Sequence, residues 1–252
     1  MIRKFFHFLY VLYALILFIA LMIPVFIWAL AVLPFGRFKT GNLIFHGCRV
    51  WARIWLTLVF IRHKNMYESK PRLDESYIYV SNHISYLDSA LVPEIFRKPV
   101  RPLGKVEMAR IPIFGFIYRN TIVTVDRSSA YNREKSVQQL KNFLKRGISI
   151  LVFPEGTFNE SHQPLLDFYS GAFRIAIETG YPIRPVLILD SYSRMNYRTI
   201  FSLNPGRSRA VFLDPIDPAG LTLEQLDELK DKVYAVMKEK LIEYQAPWIA
   251  AP

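Results

Sequence analysis

The chain opens with an apolar run that lacks charged positions: from Phe5 to Gly36 there are 32 residues without Asp, Glu, Lys or Arg. A straight helix of that length would be ~48 Å long, more than a ~30 Å hydrocarbon core requires. Pro24 interrupts the run and Pro34-Phe35-Gly36 closes it, which predicts either one tilted, kinked helix or two shorter elements in a hairpin. The run is much longer than the ~7–15-residue apolar region of a cleaved signal, and no small-x-small site follows it, so it reads as a retained anchor. A second stretch, Arg49 to Arg62, mixes Trp51, Trp55, aliphatic residues and Arg. It fits an in-plane amphipathic helix with both Trp at the headgroup boundary, or a core helix of the globular part.

Beyond Glu68 the pattern alternates between strand-like and helix-like segments. Ser76 to Val80 reads as a strand, followed by a polar turn and a helix from about Ser85 to Phe96. Thr121 to Val125 is a short β-branched run, Asn132 to Arg146 an amphipathic helix stopped by Gly147, and Ile148 to Phe153 a buried strand. Ala172 to Thr179 is helical with Gly180 as its stop, Ile183 to Leu189 is apolar enough for a central strand, and Ser208 to Leu213 is a further strand. Thr222-Leu223-Glu224-Gln225 is a capping box opening a last helix that turns Leu226, Leu229, Val233 and Met237 inward. The expectation is an α/β domain over residues 68–252, a central mixed sheet flanked by helices, joined to a hydrophobic helical membrane anchor over residues 1–67.

Charge sharpens the division. Of 32 Lys and Arg, eight precede Glu68, the first acidic residue, while the remaining 185 residues carry 24 basic and 21 acidic side chains. The formal +11 therefore belongs mainly to the greasy end, which suits an anionic lipid surface and argues against a nucleic-acid partner. Arg3 and Lys4 before the apolar run match Arg37 and Lys39 after it, as in a re-entrant or interfacial anchor. The single cysteine, Cys48, cannot form an intramolecular disulfide and reads as packing.

Two short segments carry candidate chemistry. Asn82-His83-Ile84-Ser85-Tyr86-Leu87-Asp88 follows the first strand directly. A histidine in the turn can face a cleft, and an Asp within reach of one ring nitrogen leaves the other to accept a proton, as a general base requires. On one continuous helix the two would stand ~140° apart, so the pairing needs His83 to precede the helix. Ser85-x-x-Asp88 is also a helix-start signature, in which Asp88 would merely complement the helix N-terminus. Phe153-Pro154-Glu155-Gly156-Thr157 leaves a buried strand with a rigid Pro, a carboxylate, a Gly that lets a ligand approach the backbone, and a hydroxyl. The plain alternative there is a turn with an N-capping Thr.

Together these segments resemble the glycerolipid acyltransferase family over nearly the whole chain. Asn82, His83 and Asp88 coincide with its His-x4-Asp motif. Lys105-Val106-Glu107-Met108 with Pro112, Gly115 and Asp126-Arg127 look like its second block, whose basic residues bind the acceptor phosphate. Phe153 to Thr157 is similar to its third block, and Gly171-Ala172-Phe173 with Pro182-Ile183-Arg184-Pro185-Val186 to its fourth. The resemblance implies transfer of a fatty acyl group from a thioester, on coenzyme A or acyl carrier protein, to the sn-2 hydroxyl of 1-acylglycerol-3-phosphate. It implies His83 and Asp88 as the catalytic pair, working without an acyl-enzyme. Acceptor binding falls to Lys105, Arg127, Glu155, Gly156 and Thr157, and the acyl-donor region to Pro182, Pro185 and Val186. It implies no cofactor beyond the acyl donor and no metal, and, with the anchor, a place on the cytoplasmic face of the cell membrane.

The chain departs from the family where Phe158 follows Thr157 in place of the usual Arg, and where Tyr169 and Ser170 precede Gly171 in place of basic residues. Lys105 and Arg127, helped by Arg119 or Arg174, would then hold the phosphate. The alternative acceptor is a phosphate-free lysolipid, such as an N-acylated amino acid with a free hydroxyl. A non-catalytic membrane-binding protein is the reading from another class.

Overall fold

The computed structural model describes residues 2–72, 74–126 and 129–249. The apolar run forms one helix, α1 (Ile2–Ala31), continuous through Pro24. A 3-10 turn over Leu33–Phe35 reverses the chain, and α2 (Arg37–Leu58) runs back along α1. Of the two arrangements left open, the apolar run takes the single helix, and the hairpin is made by α2 beyond it. Trp51 and Trp55, expected at a headgroup boundary, instead stack on each other at 6.0 Å and take the edge of Phe18 at 4.8 and 5.3 Å. The indole Nε1 of Trp55 donates to the α1 carbonyl of Ala14 at 2.9 Å, so these large rings bury their area without an unpaired donor. Cys48 packs, half-buried, on the same core.

Among the described residues, nothing covers the other face of α1. Leu9, Leu12, Ile16, Ile19, Ile23 and Ile27 fall at helical spacing, and each is at least 41% exposed. At ~45 Å the helix is long enough to cross a bilayer. It is nevertheless docked at both ends on one body: His7 meets the Phe201 carbonyl at 2.9 Å, and Phe26 packs on Phe116 at 5.4 Å. An apolar stripe of this length on a docked helix makes the protein membrane-associated through one side of the hairpin.

Seven strands form a single sheet in the order β1-β7-β6-β2-β5-β3-β4, with β1 at Ile61–Tyr67, β2 Ile78–Ser81, β3 Val100–Lys105, β4 Val123–Val125, β5 Ser149–Val152, β6 Ile183–Ile188 and β7 Gly206–Phe212. All neighbours are parallel except β6 and β7, so the sheet is mixed. Residues 61–67, assigned with the anchor on sequence, are an edge strand of this sheet, and Arg62 is in β1 rather than a helix. The 121–125 run divides between the end of α4 (Phe114–Thr121) and β4. Neither β3 nor α4 is legible from periodicity, because a Pro and a Gly interrupt β3 and α4 is two turns long.

Helices cover both faces. The α1–α2 hairpin, α3 (Leu87–Ile95) and α4 share one core with the sheet. α5 (Ala130–Lys145), α6 (Gly171–Thr179) and α8 (Leu226–Glu243) share the other. Gly147 and Gly180, at φ 75° and 70°, end α5 and α6 as expected, and the Thr222–Gln225 capping box is formed before α8. Between β6 and β7 lies the one-turn α7 (Ser191–Arg194).

α2 is locked to the sheet at Gly41. A Cβ there would stand 2.6 Å from both Arg101 Nη2 and the Asn120 carbonyl oxygen. Arg101, buried on β3, reaches through this gap to Asn42 Oδ1 at 2.7 Å, and its burial pushes the guanidinium down to about 10. Gly41→Ala is expected to lose ~1–3 kcal/mol of stability in denaturant titration, since the contact is with backbone as well as side chain.

Candidate active site

The site lies at the carboxyl ends of the parallel strands, where α/β sheets present ligands. β2 ends in Asn82, whose buried amide bonds both ways to the backbone of Ile188: Nδ2 donates to its carbonyl at 3.0 Å and Oδ1 accepts its N–H at 2.8 Å. Asn82 thereby continues the β2–β6 ladder for one more position. The chain then turns outward at His83 and enters α3 only at Leu87, so His83 precedes the helix as the pairing requires.

His83 Nδ1 lies 2.9 Å from Asp88 Oδ2. The same oxygen accepts the N–H groups of Ile84 at 2.9 Å and Ser85 at 3.0 Å, and Asp88 is fully buried. One carboxylate oxygen thus satisfies both sequence readings, closing the turn before the helix and orienting the imidazole. Ser85 Oγ in turn accepts the Leu87 N–H at 2.9 Å and donates to the Met195 carbonyl. With Nδ1 donating to Asp88, Nε2 carries the free lone pair, on a side chain that is 20% exposed.

Glu155 pins the His83 turn to the loop that follows β5. Its Oε1 accepts the His83 N–H at 2.9 Å and its Oε2 the Leu166 N–H at 2.8 Å. Asn159, buried in the same loop, donates its N–H to the His83 carbonyl at 2.9 Å. Asn159 was not foreseen from sequence; its one signal is an Asn shortly after Glu155-Gly156-Thr157. No helix begins at Thr157, which is exposed, so the N-capping alternative does not hold there.

Phe158 stands where the resemblance expects Arg, and it touches the histidine. The His83 ring stacks on Phe153 at 4.3 Å and takes Phe158 edgewise at 4.5 Å, while Tyr86 packs on Phe158 at 4.8 Å. Motif spacing contained no sign of this aromatic clamp.

The remaining candidates fall at different distances. Arg101 and Ile78 both pair with Ile150, which sets Lys105 level with Asn82 two strands away, about 10 Å across the sheet. Lys105 is exposed there, next to the paired end of β4. Arg127 lies outside the described residues. Arg119 is exposed at the end of α4, and Arg174 is held by Glu178 at 2.9 Å and Glu134 at 3.8 Å on the α5–α6 side. Pro182, Pro185 and Val186 lie on or just before β6, the strand beside β2, where Val186 pairs with Ser81, two residues before His83. Pro182 precedes β6 at the end of the strands opposite His83, and Pro185 and Val186 are buried within that central strand, because an apolar run in mid-sheet supplies core. Among the described residues, no group of three or more His, Cys, Asp or Glu could hold a metal ion.

A membrane-bound α/β enzyme with a strand-end His–Asp pair and a buried Glu beside it has the framework of an acyl-transfer catalyst. The profile of the acyltransferase family matches residues 60–189, from β1 to the end of β6, and the chain belongs to that family. It is 34% identical over 179 residues to the 1-acyl-sn-glycerol-3-phosphate acyltransferase of Salmonella typhimurium, covering 69% of this chain and 71% of the relative. The enzyme of the same name from Escherichia coli K12 has the same identity and coverage. The crystal structure of the 1-acyl-sn-glycerophosphate (LPA) acyltransferase PlsC from Thermotoga maritima superposes with a TM-score of 0.73 at 25% identity, covering 98% of each chain.

Burial pushes the Glu155 carboxyl up to about 7, with the Leu166 and His83 N–H bonds opposing the rise and Asp88 adding to it. Between the ordinary 4.5 and about 7 the folded protein keeps a proton that the unfolded chain has released. This contribution therefore stabilises at low pH and is lost as pH rises through that window. Thermal unfolding of wild type and Glu155→Gln from pH 5 to 8 is expected to show wild type losing up to about 3 kcal/mol relative to the variant as pH rises.

Proposed function

We propose that the protein transfers a fatty acyl group from an acyl thioester to the sn-2 hydroxyl of 1-acylglycerol-3-phosphate, forming phosphatidic acid. The observation that carries this reading is the 2.9 Å contact between His83 Nδ1 and the buried Asp88, at a turn bolted down by Glu155. His83 Nε2 takes the acceptor hydroxyl proton as the oxygen attacks the thioester carbonyl. Asp88 holds the imidazole in the required tautomer and stabilises the imidazolium. Collapse of the tetrahedral adduct breaks the carbon–sulfur bond, and the imidazolium returns its proton to the departing thiolate. No acyl-enzyme is needed, because the acceptor supplies the nucleophile.

The membrane geometry supports a lipid acceptor. Ser85 bonds to Met195, Asn196 bonds to Ser202, and the neighbouring Phe201 carbonyl meets His7 on α1, so the His83 turn is tied to the apolar face. Ile200 and Phe201 in this connection are 41% and 54% exposed. A helix docked at both ends on the enzyme lies along the bilayer surface, and Arg3, Lys4, Arg37 and Lys39 favour the anionic cytoplasmic leaflet. The acyl donor is acyl-coenzyme A or acyl carrier protein, and Lys105 with Arg127 holds the acceptor phosphate.

A second reading, a phosphate-free acceptor, is favoured by one feature: Phe158, backed by Tyr86, lies against the histidine where the family expects a cation. Acyl transfer in lipid micelles, with lysophosphatidic acid and a phosphate-free hydroxylated lysolipid offered side by side, separates the two. Turnover of lysophosphatidic acid is expected, with His83→Ala lowering kcat by about 10²–10⁴-fold in a folded protein. Lys105→Ala is expected to raise KM for lysophosphatidic acid about tenfold or more while leaving KM for the donor within about twofold. Turnover of the phosphate-free acceptor alone would overturn the phosphatidic acid reading.

A further inference from the structure

A basic cavity of about 360 Å³ lies on the flank of the hairpin, between α2, the end of α3 and the edge strand β1. Arg49 and Arg53 from α2, Arg97 after α3, and His63 and Glu94 line it. A second cavity of about 540 Å³ shares Arg53, His63 and Glu94 and adds Leu56, Phe60 and Arg62. The two form one groove, basic at one end and partly apolar at the other. β1 stands three strand spacings from β2, about 14 Å, so the groove is separate from the His83 site.

Its charges are arranged rather than scattered. Arg53 donates twice to Glu94 Oε1, at 3.0 and 3.3 Å, and Arg49 Nη1 donates to the Arg97 carbonyl at 3.4 Å. His63 is held between Ser208 at 3.0 Å and Asn65 at 2.9 Å, and burial keeps it below the usual histidine range. Three guanidinium groups thus face one carboxylate. Two buried polar atoms of the lining residues have no partner among the described residues: Arg49 Nε, a donor, and Glu94 Oε2, an acceptor. Buried polar atoms of this kind are ordinarily satisfied, so each is a position for a ligand group. A ligand that meets both offers an anionic oxygen and, beside it, a neutral donor such as a hydroxyl, since an ammonium there would be repelled by three guanidinium groups around a carboxylate that Arg53 already neutralises.

The groove opens beside the membrane-facing surface. Arg49 and Arg53 occupy one row of α2, and Val50 and Ile54, 59% and 42% exposed, occupy the adjacent row about 100° round the helix. Phe60, 64% exposed at the apolar end of the groove, is held at φ 58°, a backbone region that bulky residues rarely occupy. Cations next to exposed apolar residues sit where lipid phosphates lie.

We propose that this groove binds the headgroup of an anionic membrane lipid that carries a phosphodiester and a free hydroxyl, with the phosphate on Arg49 and Arg97, the hydroxyl on Glu94, and the glycerol and upper acyl chain against Leu56 and Phe60. It is a docking site that orients the enzyme on the bilayer, distinct from the acceptor site. A diffuse basic surface responds to charge density alone, whereas a shaped site distinguishes headgroups of equal charge.

The test is binding of the full-length protein to phosphatidylcholine vesicles containing equal fractions of phosphatidylglycerol or phosphatidylserine, each of charge −1. Wild type is expected to bind the phosphatidylglycerol vesicles at least about fivefold more tightly. Arg49→Gln/Arg97→Gln is expected to abolish that preference while keeping its melting temperature and its turnover in detergent micelles. Lys39→Gln, an exposed cation away from the groove, weakens both vesicle types alike and keeps the preference. Because Arg97 is exposed, Arg97→Gln alone serves as the check if the double variant unfolds, and it is expected to lower the preference at least about twofold. Equal binding of the two vesicle types by wild type, or loss of preference in Lys39→Gln as well, would overturn the proposal. So would free glycerol phosphate at millimolar concentration displacing the protein equally from both vesicle types, which would make the groove a site for a soluble phosphate.

Discussion

The site depends on a fully buried carboxylate that is given more than one task. Asp88, in the first turn of α3, is fully out of water, and a charge there is tolerated only where donors converge on it. Three do, all on Oδ2: the His83 imidazole and the Ile84 and Ser85 N–H groups. The imidazole is therefore one leg of a tripod whose other two legs are backbone, and swinging it away would leave the buried carboxylate short of a donor. Glu155 supplies the complementary restraint from the loop after β5, and Asn159 adds a third. The general base proposed for His83 would gain from being held in place before the substrate arrives, and these bonds hold the ring in place.

The membrane device is joined to the same framework. α2 has two working faces, one receiving α1 through Trp51 and Trp55, the other packing on α3, α4 and β1. Gly41 lets its backbone approach Asn120, and Arg101 fills the adjacent gap from β3. The anchor is therefore a layer of the fold and not a tether. Its outer stripe meets lipid while its inner stripe closes a core, and an enzyme that works on a bilayer-resident acceptor keeps its site at a constant height above that surface.

Much of this was legible in local chemistry. The membrane character of residues 5–36, the helix stops at Gly147 and Gly180, the capping box at Thr222 and the strands near 76–80, 148–153 and 183–189 follow from periodicity and from residues with restricted backbone preferences. The juxtaposition of His83 and Asp88 was legible as well, because a turn placed before a helix brings those neighbours together. One feature misled. The Trp pair suited a headgroup boundary by composition, yet it found a larger apolar partner in α1. Pro185 and Val186, read from a motif block, stand in the sheet interior beside β2, Val186 opposite Ser81.

The sequence by itself determined the class of fold, the family and the juxtaposition of His83 with Asp88, since each is encoded by residues close together in the chain. Only the tertiary structure decided that β1 joins the sheet through β7, some 145 residues later, that Glu155 bonds the His83 backbone 72 residues away, and that Phe158 lies against the imidazole. The reason is physical: periodicity reports which face of an element is buried, whereas the partner it is buried against is chosen by topology and by packing over long sequence separations.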